Sequence, residues 1–380
     1  MRRTLFEPEH EQFRLTARTF FEKECVPHTA AWERAGVVDR AAWLRAGEQG
    51  LLGWEVPEEY GGLGIRDFRY NVVVTEELTG TGTVGIGLAL QNDIMPPYLI
   101  GLTTAEQKAR WLPGIVSGEI VSAIAMSEPG AGSDLRGIRT TARRDGDHFV
   151  LDGTKTFISN GVLADLVLVV ARTDPEAGHR GISILAVERG MPGFTRGRTL
   201  DKIGQKAADT AELAFDGVRV PVGNLVGERN RGFYHLMSNL PKERLGIAVN
   251  ALGQARRALR LTRDYAAGRR AFGSAIGTFQ VNRHALAGMA TKLDVLQVYL
   301  DRCTEAANVG ELTPEEAAGA KWWATETQWE VVDRCLQMFG GYGYVNEYEI
   351  ARLWRDARVQ RIYGGTNEIM LDIVGRSMGF

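Results

Sequence analysis

The first stretch whose residue types could do chemistry is Ser127-Glu128-Pro129-Gly130-Ala131-Gly132-Ser133-Asp134. Gly130 and Gly132 strip side chains from a turn and leave amides free to approach flavin edges or phosphate oxygens. A plain Gly- and Ser-rich surface turn reads the same way. Thr154 to Gly161 follows a strand and gathers the aromatic Phe157, the hydroxyl of Ser159 and an Asn160-Gly161 turn. A ring and a hydroxyl donor suit the flank of a flavin, although the stretch alone reads more readily as a hairpin. Toward the C-terminus, Gln337-Met338-Phe339-Gly340-Gly341 and Tyr363-Gly364-Gly365-Thr366-Asn367-Glu368 place two diglycine turns after helical stretches. Such turns permit close backbone contact, or simply cap a helix.

The elements that must position these segments fall into three blocks. Amphipathic spacing around Glu9 to Glu24 and Ala41 to Gly50, with a capping box expected at Thr103-x-x-Glu106, predicts a helical module over residues 1–119. Residues 120–228 change texture. Strand-like runs (His148 to Leu151, Leu166 to Val170, Ile182 to Val187, Ala211 to Phe215, Val218 to Val220) alternate with the turn dipeptides Asp145-Gly146, Asp152-Gly153 and Asp216-Gly217. They predict an antiparallel, barrel-like β module. Over residues 229–380 helical spacing returns, as in Leu286, Met289, Leu293, Leu296 and Leu300. Thr313-Pro314-Glu315-Glu316 supplies an N-cap, an N1 proline and an N3 glutamate. Helices, strands, then helices without βαβ alternation predict an α+β multi-domain fold rather than a parallel dinucleotide-binding sheet.

Composition narrows the partners. The 380 residues carry 45 Lys+Arg against 47 Asp+Glu, a net charge of −2, so no electrostatic footprint for nucleic acid or an anionic membrane is present. The longest apolar runs fall far short of the roughly 20 residues of a membrane span, and the N-terminal residues lack the features of a signal or transit peptide. A cytoplasmic location is the expectation. Cys25, Cys303 and Cys335 stand apart without metal spacing and read as packing residues; no metal site is expected.

Taken together, these segments resemble the acyl-CoA dehydrogenase family over essentially the whole chain and in the family's order. Ala125 to Asp134 resembles its first signature, and Gln337 to Gly341 with Tyr363 to Glu368 its C-terminal ones. The resemblance implies a central β domain between a helical domain and a C-terminal four-helix bundle. It also implies non-covalent FAD, with Ile124, Met126, Ser127, Gly132 and Ser133, and Phe157 to Ser159, around the isoalloxazine ring. Ser133 would also touch the acyl-CoA. Arg269, Phe272 and Gln280 match the family's Arg-x-x-Phe-Gly…Gln stretch, which meets the adenine dinucleotide portion across a subunit interface with Gln337, Gly340 and Gly341 of a neighbouring chain. A homo-oligomer, usually a tetramer, follows from that, and an electron-transfer flavoprotein as acceptor. Taken alone, Arg269 and Arg270 read as a solvated basic helix face.

The family's chemistry removes an α proton and a β hydride, so it needs a carboxylate beside the α carbon. Many members carry it in a Tyr-Glu-Gly-Thr stretch; here the segment is Tyr363-Gly364-Gly365-Thr366, and glycine takes no proton. Long-chain and isovaleryl-type members place the base on the first long C-terminal helix, and Leu240-Pro241-Lys242-Glu243-Arg244-Leu245 resembles that site. Glu243 is the expected base, with a raised pKa from burial. Glu368 is the alternative, although with Thr366 it matches an FAD-contacting segment. Arg244, Gly364 and Gly365 are expected at the substrate. The implied reaction is α,β-dehydrogenation to a trans-2-enoyl-CoA; a flavin oxidase or monooxygenase of the same fold, or an acyl-CoA-binding protein that has lost catalysis, are the alternatives. The pocket end is expected from helices around Ile86 to Tyr98, with Gln91, Asn92 and Asp93 read as solvated helix surface.

Overall fold

The computed structural model describes residues 3–83 and 85–380; of the N-terminal segment read above, Met1 and Arg2 lie outside it. Helices α1 (Pro8–Phe20), α2 (Thr29–Ala35), α3 (Arg40–Glu48), α4 (Phe68–Thr81), α5 (Met95–Gly101) and α6 (Ala105–Ser117) come first. The α6 capping box sits one residue later than expected: Thr104, not Thr103, caps it, and Gln107 answers from N3. Thr103 turns back instead onto the Leu99 carbonyl.

Eight strands follow: β1 (Ser122–Ala125), β2 (Thr141–Asp145), β3 (His148–Ser159), β4 (Leu166–Arg172), β5 (Ile182–Glu188), β6 (Phe194–Thr199), β7 (Thr210–Pro221) and β8 (Leu225–Val226). They form one open sheet in the order β6-β7-β3-β2-β4-β5-β8, with β1 added beside β4. The barrel-like expectation is thus corrected to an open sheet among the described residues, and two of its pairings, β1 with β4 and β2 with β4, are parallel. Two expected turns are also corrected. Asp152-Gly153 and Asp216-Gly217 lie inside the long strands β3 and β7, where Gly153 (φ 146°) and Gly217 (φ 60°) accompany a register shift rather than a chain reversal. Thr154 to Ser159 likewise continues β3, and the chain turns only at Asn160, which has φ 58°.

Strand β4 is apolar at every position but its last because both its faces are covered. Leu166, Leu168 and Val170 pack with Tyr98, Leu99, Trp111 and Leu112 of α5 and α6. Val167, Val169 and Ala171 pack with Phe149, Leu151 and Val218 on the other side. Helices α5 and α6 are therefore seated on the sheet, which brings the first helical block against the strand that leads into the Ser127 loop.

The last block holds α7 (Gly232–Gly268), α8 (Gln280–Asn308) and α9 (Pro314–Phe339), followed by α10 (Glu349–Ala357) and α11 (Asn367–Ser377). Alanines 248, 251, 255 and 258 on α7 and 320 and 324 on α9 let these two helices approach closely, with Leu293, Leu296 and Leu300 of α8 completing the core. Cys303 and Cys335 lie in this core and Cys25 in the first helical block; burial pushes the thiols up to about 11, 11 and 12. At the start of α9 the Thr313 hydroxyl accepts from Glu316 N at 3.2 Å and the Glu316 carboxylate from Thr313 N at 3.0 Å. Thr313→Ala is expected to cost about 1 kcal/mol, read as a fall of about 1 °C in the melting midpoint for a chain of this size.

Candidate active site

Glu243 sits in the fourth turn of α7, two residues after Pro241, which has no N–H to return to the Met237 carbonyl. Its side chain is buried, and Tyr98 Oη of α5 donates to its Oε1 at 3.3 Å. Burial pushes the Glu243 carboxyl up to about 7; the Tyr98 hydrogen bond and the Arg244 charge hold it from going higher. Burial and the neighbouring carboxylate push the Tyr98 phenol strongly upward, so it stays a donor. Arg244 is as buried as Glu243, and its Nε has no hydrogen-bond partner. A guanidinium nitrogen of Arg244 lies 3.9 Å from where a Cβ on Gly365 would stand, so the segment after Glu243 reaches the C-terminal diglycine.

That diglycine turn is built to hold no side chain. Gly364 and Gly365 have φ 65° and 91°, and a Cβ at Gly364 would stand 2.3 Å from Cδ1 of Ile247, one turn after Glu243 on α7. Ile247 occupies the space that a carboxylate at position 364 would enter through. The turn is fastened from below by the fully buried Lys321 of α9, which donates to the Gly365 carbonyl at 2.9 Å and to Asn367 Oδ1 at 2.8 Å. Burial, with Arg244 nearby, lowers the Lys321 ammonium to about 8. Thr366 caps α11, and Glu368 in its first turn is exposed, with a carboxyl held below its usual range by its own backbone and by Thr366. Of the two candidate bases, only Glu243 is enclosed.

The Ser127 loop leaves β1, where Ile124 is buried and Met126 half-buried. Glu128 anchors it: its carboxylate accepts from Arg139 N, Thr140 N and, at 2.9 Å, from the ammonium of Lys155 on β3. Lys155 is fully buried and also donates to the Met126 carbonyl, while Thr156 N bonds the Ser127 carbonyl. These bonds lower Glu128 and, through burial, Lys155 falls to about 8. Gly132 and Ser133 are exposed, and space stands open where Gly130 and Gly132 lack a Cβ. Beside the loop, Phe157 is 70% exposed at φ 59°, in the irregular step of β3 between Lys155 and Ile158, with Ser159 exposed too. A non-glycine residue held in the left-handed region with its ring in solvent is a strained arrangement of the kind that clusters at ligand sites. The loop and ring therefore fit the edge of a flavin.

A second set lies at the other end of α7. Arg269 follows its last residue with its guanidinium 5.5 Å from the Tyr342 ring, and it lines a cavity of about 690 Å³ with Gln337, Gly340 and Gly341 of the same chain. Phe272 and Gln280 are exposed, Phe272 at 97%, and neither lines that cavity. Arg269 and Arg270 form no helix face: they leave the helix in extended backbone. A larger cavity of about 1410 Å³, between α1, α4, α7 and α8, is lined by paired charges such as Arg14–Glu76 and Arg3–Asp301 and contains none of the expected site residues.

The reading of Gln91, Asn92 and Asp93 as solvated surface is overturned: all three are buried, in a π-helical turn (Leu90–Ile94) before α5. Gln91 bonds Ser122 and the Ile120 carbonyl, and Asn92 bonds Gly53 N and the Leu51 carbonyl. Their amides substitute for backbone partners that the irregular segments around them lack. Tyr98, Lys155 and Lys321 were given no role by sequence reasoning. For Lys155 and Lys321 the signal was a lysine inside an otherwise apolar or small-residue run; Tyr98 carried none.

Comparison with known proteins covers the three blocks in turn. Residues 7–119 match the acyl-CoA dehydrogenase N-terminal domain, 123–218 the middle domain and 230–379 the C-terminal domain. The chain is 46% identical to the mitochondrial long-chain specific acyl-CoA dehydrogenase of Sus scrofa, over 99% of this chain and 88% of that protein. It is 35% identical to the isovaleryl-CoA dehydrogenase of Pongo abelii, over 97% and 88%. The crystal structure of an acyl-CoA dehydrogenase from Geobacillus kaustophilus superposes with a TM-score of 0.97 at 47% identity, covering 99% of both chains.

Proposed function

From the premise that the chain belongs to the acyl-CoA dehydrogenase family, we propose that it converts a saturated long-chain acyl-CoA to the trans-2-enoyl-CoA, with Glu243 as the base and FAD as the flavin. The family and its class of reaction, flavin-dependent oxidation of a CH–CH bond in an acyl-CoA, are shared by all these relatives. The observation that carries the assignment of the base is the pairing of a buried Glu243 on α7 with a filled, side-chain-free turn at Gly364.

Glu243 takes the α proton. Its high proton affinity in a dry site makes it a stronger base than a solvated carboxylate, and Tyr98 holds the oxygen from which it acts. Arg244 places buried positive charge between the base and the Gly364–Gly365 turn, which steadies the ionised form of Glu243. FAD, when bound, supplies the acceptor for the β hydride. Ile124, Met126, Ser127, Gly132, Ser133, Phe157 and Ser159 would flank its ring, Ser133 also facing the thioester, and Thr366 with Glu368 would approach it from the C-terminal turn. Arg269, Phe272 and Gln280 would receive the dinucleotide end, joined across a subunit interface of a homotetramer by Gln337, Gly340 and Gly341 of a neighbouring chain. The electrons pass on to an electron-transfer flavoprotein in a cytoplasmic setting.

Anaerobic addition of a thioester panel from butyryl-CoA to palmitoyl-CoA, with isovaleryl-CoA, tests this. Bleaching of the flavin absorbance fastest with the long chains is expected, and fastest bleaching by isovaleryl-CoA would overturn the substrate class. The pH dependence follows from the base. Since proton abstraction needs the carboxylate, the reduction rate should be low below pH 6 and climb across the range around 7. A rise centred near 4 would show that the base is a solvated carboxylate, not Glu243.

A further inference from the structure

Asp93 is the one polar residue of the Leu90–Ile94 turn that the surrounding backbone does not use. Gln91 and Asn92 are bonded at both ends of their amides. Asp93 receives a single bond, from Asn71 Nδ2 of α4 to Oδ1 at 2.6 Å. Its other oxygen, Oδ2, lies only 2.9 Å from the position that a Cβ of Gly246 would take. Gly246 is three residues after Glu243 and thus on the same face of α7, so the missing side chain is what admits the aspartate oxygen beside the base. A buried carboxylate without a cationic partner is costly and asks for a reason.

We propose that Asp93 is a positioning residue for the base: its carboxylate, seated in the gap at Gly246 one helical turn from Glu243, sets how tightly Glu243 holds the abstracted proton. The inference rests on Glu243 being the base. Two carboxylates so close in a dry site lose their protons in two coupled steps. With the first proton gone the pair holds one negative charge; when the second leaves, the Asp93 charge strengthens Glu243 as a base. Besides Asp93, the groups that act on Glu243 are Tyr98 on α5 and Arg244 on α7; around Asp93 stands also Glu55, from the segment before α4, with Lys242 of α7 and Arg66 beside it. Of these, Lys242 and Arg66 face Glu55 and Arg244 faces Gly365, which leaves Asp93 with Glu55 and Glu243 as its charged neighbours. Burial and those two carboxylates push Asp93 itself up to about 7.

The test is the pH profile of single-turnover flavin reduction between pH 5 and 9.5, in the wild-type enzyme and in Asp93→Asn, Asn71→Ala and Glu243→Gln. Palmitoyl-CoA is the probe, or isovaleryl-CoA if only that ester reduces the wild type. The wild type should rise in two steps. Asp93→Asn should show one step, displaced down by about one pH unit, with a plateau roughly three- to tenfold lower because the base is weaker. Asn71→Ala, which removes the donor that steadies ionised Asp93, should move the second step upward. A single step in the wild type, or an Asp93→Asn profile that overlays the wild type, would overturn the proposal. Should Asp93→Asn fail to hold flavin, the wild-type and Asn71→Ala profiles still decide. Glu243→Gln separates the two readings: reduction that survives it removes the base itself, whereas abolished reduction with unchanged Asp93 variants removes only the role of Asp93.

Discussion

Glu243→Gln should give a folded, yellow protein whose flavin is no longer bleached by palmitoyl-CoA, with the reduction rate down on the order of 10³-fold or more. Gln fills the same volume and still accepts from Tyr98 Oη, so the packing of α7 against α5 is preserved while the proton acceptor is removed. The expectation extends to a relocated base. Adding Gly364→Glu to this variant should restore little activity, because a side chain there is strained at φ 65° and must displace the Ile247 Cδ1 that stands 2.3 Å from its Cβ. Trimming the obstacle as well, in the triple variant with Ile247→Ala, opens that space and should recover part of the rate. Bleaching at near wild-type rate in Glu243→Gln alone would move the base elsewhere, with Glu368 next to be replaced.

Lys155→Met carries the second large effect. It leaves Glu128 buried with two backbone donors but without its cation, and also frees the Met126 carbonyl. Breaking one side of a buried pair costs about 3–5 kcal/mol, and here the loss falls on the anchor between β3 and the Ser127 loop. The expected result is protein that elutes from gel filtration largely without flavin and regains colour only at high added FAD, while its helical circular dichroism persists. Full flavin content with an unchanged melting midpoint would show that the loop is held by its backbone bonds alone. The pair also predicts a pH effect. The folded-state pKa of Glu128 lies below its unfolded value, so its stabilisation is complete above the ordinary glutamate range and is lost as pH falls through the depressed value. Flavin release on acidification should therefore set in only below the ordinary glutamate range.

The three-block order and the helix signals were legible because they are local. Apolar residues at three- and four-residue spacing on α8, and Thr313 to Glu316 at the start of α9, state their structure within a few residues. The two expected turns that became irregular steps inside β3 and β7 show where locality ends: an Asp-Gly pair permits a positive φ, and only the partner strand decides whether the chain reverses or bulges. Gln91 and Asn92 failed in the same way. An amide-rich helix segment reads as solvated until the Leu51–Gly53 loop and β1, distant in sequence, arrive to use its hydrogen-bonding groups.

The residue types and their order by themselves determined the family resemblance, the absence of a carboxylate at position 364 and the nomination of Glu243, since each of these is a statement about which side chain stands where in the chain. Only the tertiary structure decided that Ile247 fills the space at Gly364, that Tyr98 meets Glu243, that Lys155 anchors Glu128, and that Asp93 enters the gap left by Gly246. Each of those contacts joins elements far apart in sequence, and its energetics depend on burial. Removal from water turns an ordinary carboxylate into one poised near neutrality and an unremarkable lysine into an anchor. Desolvation belongs to a residue's surroundings in the folded chain, which is why no local reading of the residues contained it.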